Sequence, residues 1–201
     1  MLAELATIKS RLQILDTDTT YDALLTSAIE AISARFDKET NRTLARTENA
    51  TDEFDAADTG LAVSCYPIET VTNFETKTTE SEGWVEQPTP DYLIRHSCVI
   101  ALRLPLAASR DLARVTYTGG YVLPGSPDPD YQPSTIIYPP TRLPSDVEHA
   151  AVEQIAFWFI NREKQGIKTN WPKDSVYQQF ATQDLLESVA AVLEKHRRWT
   201  L

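Results

Sequence analysis

The first forty residues carry a helical rhythm. Leu2, Leu5, Ile8, Leu12 and Leu15 recur at threes and fours, which predicts a helix over 2–15 with Lys9 and Arg11 on its outer side. The polar run "DTDTT" breaks the pattern and offers Asp18 or Thr19 as the cap of a second helix. Tyr21, Leu24, Leu25, Ala28, Ile29, Ile32 and Phe36 then form one stripe to about Thr40, with Glu30, Arg35, Lys38 and Glu39 largely off it. Two such helices in succession predict an αα-hairpin.

From about Thr51 the period falls to 2. Leu61, Val63 and Cys65 alternate with small polar residues, and "ETVTNFETKT", "GWVEQ", "DYLIRH", "VIALRL" and "ARVTYT" read as further strands. Five or six strands fit between residues 51 and 118, as a small antiparallel sheet or barrel. Residues 124–144 hold seven of the twelve prolines, a density that neither helix nor central strand tolerates, so an extended arm is expected there. Tyr131, Ile136, Ile137 and Tyr138 give that arm apolar material for docking on a partner or a neighbouring subunit.

The stretch "PSDVEHAAVEQIAFWFINR" restores the helical period. Ser145 with Glu148 has capping-box spacing, and the apolar positions from Val147 to Ile160 surround the helix by its last two turns, marking it as the centre of the core. A short helix around "SVYQQFA" is possible. The last helix is expected over 184–198, with Leu185, Leu186, Val189, Val192 and Leu193 as its stripe. Lys195, His196, Arg197 and Arg198 stand at its C-terminus, where the helix dipole favours cations. The expected fold is therefore α+β: a mainly helical body from 1–47 and 145–201, a β-rich insertion over 48–123, and a proline-rich arm over 124–144, all in one domain.

Charge changes this picture in one place. The net charge is −10, and residues 48–91 hold eleven acids against Lys77 alone, so that region carries the whole imbalance. Such a surface repels nucleic acid and anionic lipid. The N-terminal stretch lacks a secretory order, and no apolar run approaches the roughly 20 residues of a membrane helix. A soluble intracellular product is expected, with Cys65 and Cys98 reduced and the Asn-x-Thr triplets at Asn41 and Asn49 without consequence.

Candidate chemistry is sparse. The Gly119–Gly120 pair in "VTYTGGYVLPG" fits neither phosphate-loop template, and no helix follows it, so it reads as a turn where the chain leaves the sheet. His96 and Cys98 would share a strand face, with Cys65 across from them, yet three soft ligands fall short of a structural zinc set. Asp128 and Asp130 lack the rest of a calcium loop. His149 and His196 have no nucleophile beside them in sequence, and no G-x-S-x-G occurs. No catalytic residue, metal or cofactor is expected. Trp199, beside the terminal basic cluster, is of a type enriched at contact hot spots, which makes the C-terminal end a candidate docking tail.

The succession "DKETNRTLA", "LAVSCYPIETVTNF", "VTYTGGYV", a proline-rich arm and "LPSDVEHAAVEQIAFWF" resembles the head–tail connector (head-completion adaptor) proteins of tailed bacteriophages over most of the chain. The resemblance implies a ring, commonly twelvefold, in the virion neck between portal and stopper or tail-completion proteins, assembled in the host cytoplasm. DNA would pass through without sequence-specific binding, and no membrane is involved. It implies further that the C-terminal segment engages the portal, here Leu185, Leu186, Val189, Val192, Leu193, Arg197, Arg198 and Trp199. Part of the acidic stretch 48–91 would then line or flank the channel. A reading from another class makes the β insertion a recognition module for carbohydrate or protein, with Trp84, Tyr92 and Tyr66 as stacking rings.

Overall fold

The computed structural model describes residues 1–108, 110–127, 140–162 and 185–198. The chain divides into two compact units, Met1–Glu39 with Pro144–His196, and Thr40–Leu143 with Arg197–Leu201.

The first unit is helical. α1 (Leu5–Arg11) stops well before Leu15 because Gln13 takes a left-handed conformation, φ 58°, and the stripe runs on into a loop. Leu15 is left 75% exposed, whereas Lys9, expected outside, is only 3% exposed. Its Nζ donates to the Asp16 carbonyl at 2.9 Å and lies 3.0 Å from the Asp22 carboxylate, so the ammonium fastens the loop to the first turn of the next helix. α2 spans Asp22–Thr40. Asp18 caps nothing there; its Oδ1 accepts from the Thr20 N–H within the preceding turn. Leu25, Ile29, Ile32 and Phe36 are buried as the stripe predicts, and Asn41 at φ 51° ends the helix.

α3 (Ser145–Ile160) buries Val147, Ala150, Ala151, Val152, Gln154, Ile155 and Ala156. The capping box does not form, because Pro144 occupies the N-cap and Ser145 is already inside the helix. The last two turns are not core throughout: Phe157 is 43% and Ile160 68% exposed. α1 and α4 (Glu187–Lys195) both pack on α3. The Gln154 side chain is fully buried, and its Oε1 accepts from the Leu186 N–H just before α4.

The second unit is β. Strands β1 (Thr47–Asp55), β7 (Leu112–Gly119), β3 (Ile68–Lys77) and β4 (Val85–Gln87) form an antiparallel sheet in the order β1-β7-β3-β4. A second antiparallel sheet has the order β2-β6-β5, from Gly60–Ala62, Val99–Leu102 and Tyr92–Arg95. A short parallel pair joins β8 (Tyr121–Val122) to β9 (Thr141–Arg142). Leu61, Ile100 and Leu102 from the smaller sheet join Ile68, Phe74, Val115 and Tyr117 from the larger in one apolar cluster. The alternation seen in the sequence is the inner face of each strand. β1 lay hidden because its outward positions are mostly acids and polar residues.

Among the described residues helix accounts for 32% and strand for 29%, so the fold is α+β but not mainly helical. The imbalance in the expectation came from helix ends. Period alone overran α1, here seven residues, and α4, here nine.

The glycine pair has a steric cause. Gly119 pairs with Thr47 of β1 and Ile68 of β3 at once. A Cβ there would stand 2.4 Å from the Cys65 carbonyl oxygen and 2.8 Å from that of Pro67. Gly120, at φ 98°, would place one 2.5 Å from the Ala45 oxygen. Backbone atoms cannot yield as side chains do. Gly119→Ala should therefore destabilise the protein by about 2–4 kcal/mol in urea denaturation.

Candidate interaction surfaces and buried polar sites

The C-terminal candidates are divided between core and surface. Val189 and Leu193 are buried against the helical unit, and Leu185, Leu186 and Val192 are half-buried. A helix with a strong apolar stripe spends that stripe on its own neighbours first. Beyond α4, Arg197 is exposed, while Arg198 is half-buried and Trp199 lies outside the described residues. The Arg198 N–H donates to the Thr40 carbonyl at 2.8 Å and its Nη2 to the Ala62 carbonyl. Tyr131, Ile136, Ile137 and Tyr138 of the arm also lie outside the described residues, as do Asp128, Asp130 and "SVYQQFA".

His196, at the end of α4, has its Nε2 3.0 Å from Asp146 Oδ2 in the first turn of α3. That hydrogen bond, against a smaller opposing effect of burial, holds the Asp146 carboxyl below its ordinary pKa. A hydrogen bond thus joins the end of α4 to the start of α3 within the helical unit.

The acidic region sorts into two groups. Three of its carboxylates are spent internally. Glu69, 1% exposed, takes Arg46 Nε at 2.9 and 3.1 Å, and Glu75 takes Arg114 at 2.6 and 2.8 Å. Asp52 accepts from Tyr117 Oη at 2.6 Å and from both the N–H and hydroxyl of Ser64. The same Tyr117 oxygen accepts from the Cys65 N–H at 2.9 Å, and burial is the main reason its phenol pKa is pushed up. The other eight acids of 48–91 are exposed. The outward charge of this unit is therefore negative, and no compensating cation of the same stretch but Lys77 tempers it.

The rings that a recognition module would use have other neighbours. Arg42 lies over the Tyr66 ring, 3.3 Å from its centroid, and Arg114 over Trp84 at 4.4 Å. Tyr92 packs on Phe74 with centroids 5.8 Å apart. His96 and Cys98 do not share a strand: they sit in the β5–β6 turn, where His96 and Ser97 have φ 51° and 58°. Cys65 is buried, its thiol donating to the Gly119 and Ala45 carbonyls. Among the described residues no group of three or more His, Cys, Asp or Glu is placed to hold a metal ion. No helix among them is long and apolar enough to cross a membrane. His149 is exposed in the second turn of α3.

The sequence hid the chief polar sites here. Arg42 with Tyr66, Arg46 with Glu69 and Tyr117 with Asp52 are each more than twenty residues apart in the chain, and the glycine pair of "VTYTGG" read only as a turn.

No protein-family model and no curated protein matches the chain. Among solved structures it is similar to a chain described as "Neck of empty GTA particle computed with C6 symmetry", GTA standing for gene transfer agent. The two share 16% identity at a TM-score of 0.56, over 98% of this chain and 89% of the other. At that identity the likeness establishes a common fold across both units.

Two outcomes follow from the polar sites. Arg46→Ala strands the Glu69 carboxylate without its buried partner and should cost about 3 kcal/mol in denaturant unfolding, part of which Glu69→Gln in the same chain restores. Asp146 has a depressed folded pKa, so its contribution is complete above the unfolded carboxylate value and is lost as pH falls through the folded one. Thermal melts across the acid range should therefore show a shallower decline for Asp146→Asn than for the parent below about pH 4.

Proposed function

We propose that this chain is a structural neck protein of a tailed, phage-like particle, the adaptor that joins the portal to the stopper or tail. The observation that carries this reading is a fold shared over nearly the whole chain with a neck chain of a gene transfer agent particle. The succession of sequence patterns that resembles head–tail connectors points the same way by an independent route. The protein would act by adhesion to copies of itself and to the rings above and below, with no bond made or broken in a substrate.

A ring built head-to-tail needs two different adhesive faces on each subunit. Each unit offers apolar side chains outside its core: Leu24, Phe157 and Ile160 in the helical one, Val85, Leu93, Leu104 and Leu112 in the β one. A DNA channel is best lined by a surface that does not hold DNA, and the eight outward acids of 48–91 would serve if some of them face inward. In this reading the protein resides in the virion neck and passes through the host cytoplasm during assembly.

Light scattering on the purified protein, alone and with a purified portal ring, tests the assignment. Either a ring of defined mass or a monomer that joins the portal in stoichiometric number is expected; a monomer indifferent to the portal would sink the adaptor role. Removal of residues 197–201 leaves α4 and its buried stripe in place, so portal attachment should drop while helical content is kept.

A further inference from the structure

Among the described residues, the two antiparallel sheets of the β unit have four edge strands: β1 and β4 in the larger, β2 and β5 in the smaller. β1 and β2 are engaged with each other. Asp52, Glu53 and Phe54 of the first and Gly60, Leu61 and Ala62 of the second line one cavity of about 220 Å³, and the Asp52 carboxylate takes the Ser64 N–H just beyond β2. β4 and β5 are left, and an unpaired strand edge is a template for another strand.

The backbone of β5 is set to accept one. The Arg103 N–H donates to the Asp91 carbonyl at 3.0 Å, and the register continues with Leu93 opposite Ala101 and Arg95 opposite Val99. Hydrogen-bonded pairs recur at every second residue of an antiparallel ladder, so Tyr92 and Ile94 turn their N–H and C=O groups to the open edge. The side chains alternate as well. Leu93, 66% exposed, and the exposed Arg95 stand on the outer face, beside a cleft of about 320 Å³ that Ala101 also lines. Tyr92 and Ile94 pack toward the core.

β4 offers the complement. Glu86 is exposed opposite Glu75, whose carboxylate already holds Arg114, and Val85, opposite the buried Thr76, is 51% exposed at the rim of the inner face. Exposed Glu80 and Glu82 in the connection before β4 add to its negative sign. Pairing β4 with β4 would bring Glu86 toward Glu86, and β5 with β5 would bring Arg95 toward Arg95. Unlike edges match on both faces: Glu86 with Arg95 outside, Val85 with Tyr92 and Ile94 inside.

We infer that β5 of one copy pairs edge to edge with β4 of the next, joining their sheets. The contact is heterologous, as a ring requires, and each copy brings one β4 and one β5 to its two neighbours. It deepens the neck reading and rests on it, since it names the faces by which copies meet.

Charge reversal at these exposed positions tests the pairing in sedimentation equilibrium of the whole chain. Arg95→Glu and Glu86→Arg should each weaken self-association roughly tenfold, and the double variant should recover it. The two single variants, mixed, should associate, because each supplies the edge that matches the other. In an Arg95→Lys chain a carbodiimide should join position 95 to Glu86 of another copy, identified by the mass of the linked peptides. A chain still monomeric at about 1 mM, or self-association indifferent to both reversals, overturns the pairing. Portal binding by the same variants keeps the two readings apart: if it is intact while the pairing is absent, this inference fails and the neck role stands.

Discussion

The β unit turns on a place where backbones meet without side chains between them. Gly119 lies between β1 and β3 and against the carbonyls of Cys65 and Pro67. Gly120 lies against Ala45. Because the chain can come this close, the Cys65 thiol reaches the Gly119 carbonyl at 3.1 Å and the Tyr117 hydroxyl, two residues earlier, reaches the Cys65 N–H. From Tyr117 the bonds continue to Asp52 in β1 and, through that carboxylate, to Ser64. One steric condition thus sets the register of the central strand, the position of a buried phenol and the anchoring of the connection that follows β2. The tyrosine is shut into apolar surroundings, so each of those bonds is made in a setting where leaving it unmade is costly.

Electrostatics in this unit is a matter of which charges are spent inside. Glu69, Glu75 and Asp52 satisfy internal donors and are unavailable to partners. The exposed acids remain, and at physiological salt their field acts over about 8 Å, enough to govern what approaches the face. A surface of this sign favours contact with basic or neutral protein and disfavours lasting contact with DNA.

Long apolar stripes and alternating strands were legible because each is a local record of one buried face. α2 and the strands β3, β5, β6 and β7 fall where those patterns put them. What failed were features decided by a single residue or by tertiary context. Gln13 ends α1 by a backbone conformation that nothing in its side chain announces. Lys9 is buried because a carbonyl of the following loop and the Asp22 carboxylate at the start of α2 meet it, not because of its place on a helical wheel. Ser145 could not cap a helix that had already begun. β1 carries acids on its outer face, and a polar outer face looks like a loop when read alone. The Arg42–Tyr66 stack joins residues 24 apart, beyond the reach of any local period.

The fate of the last helix bears on how this protein can adhere to anything. A stripe of Leu185, Leu186, Val189, Val192 and Leu193 looks in sequence like a surface offered to a partner. Yet Val189 and Leu193 are already enclosed, and the Leu186 N–H is held by Gln154. Side chains enclosed in this way cannot also carry an interface unless the helix leaves α3, and leaving would re-expose apolar area at roughly 25 cal/mol per Å². On the proposed reading, adhesion would have to draw on what folding has not used. In the helical unit that means the outward end of α3, where Phe157 and Ile160 share one side three residues apart. Large apolar side chains exposed at a helix end gain from burial when a second surface covers them.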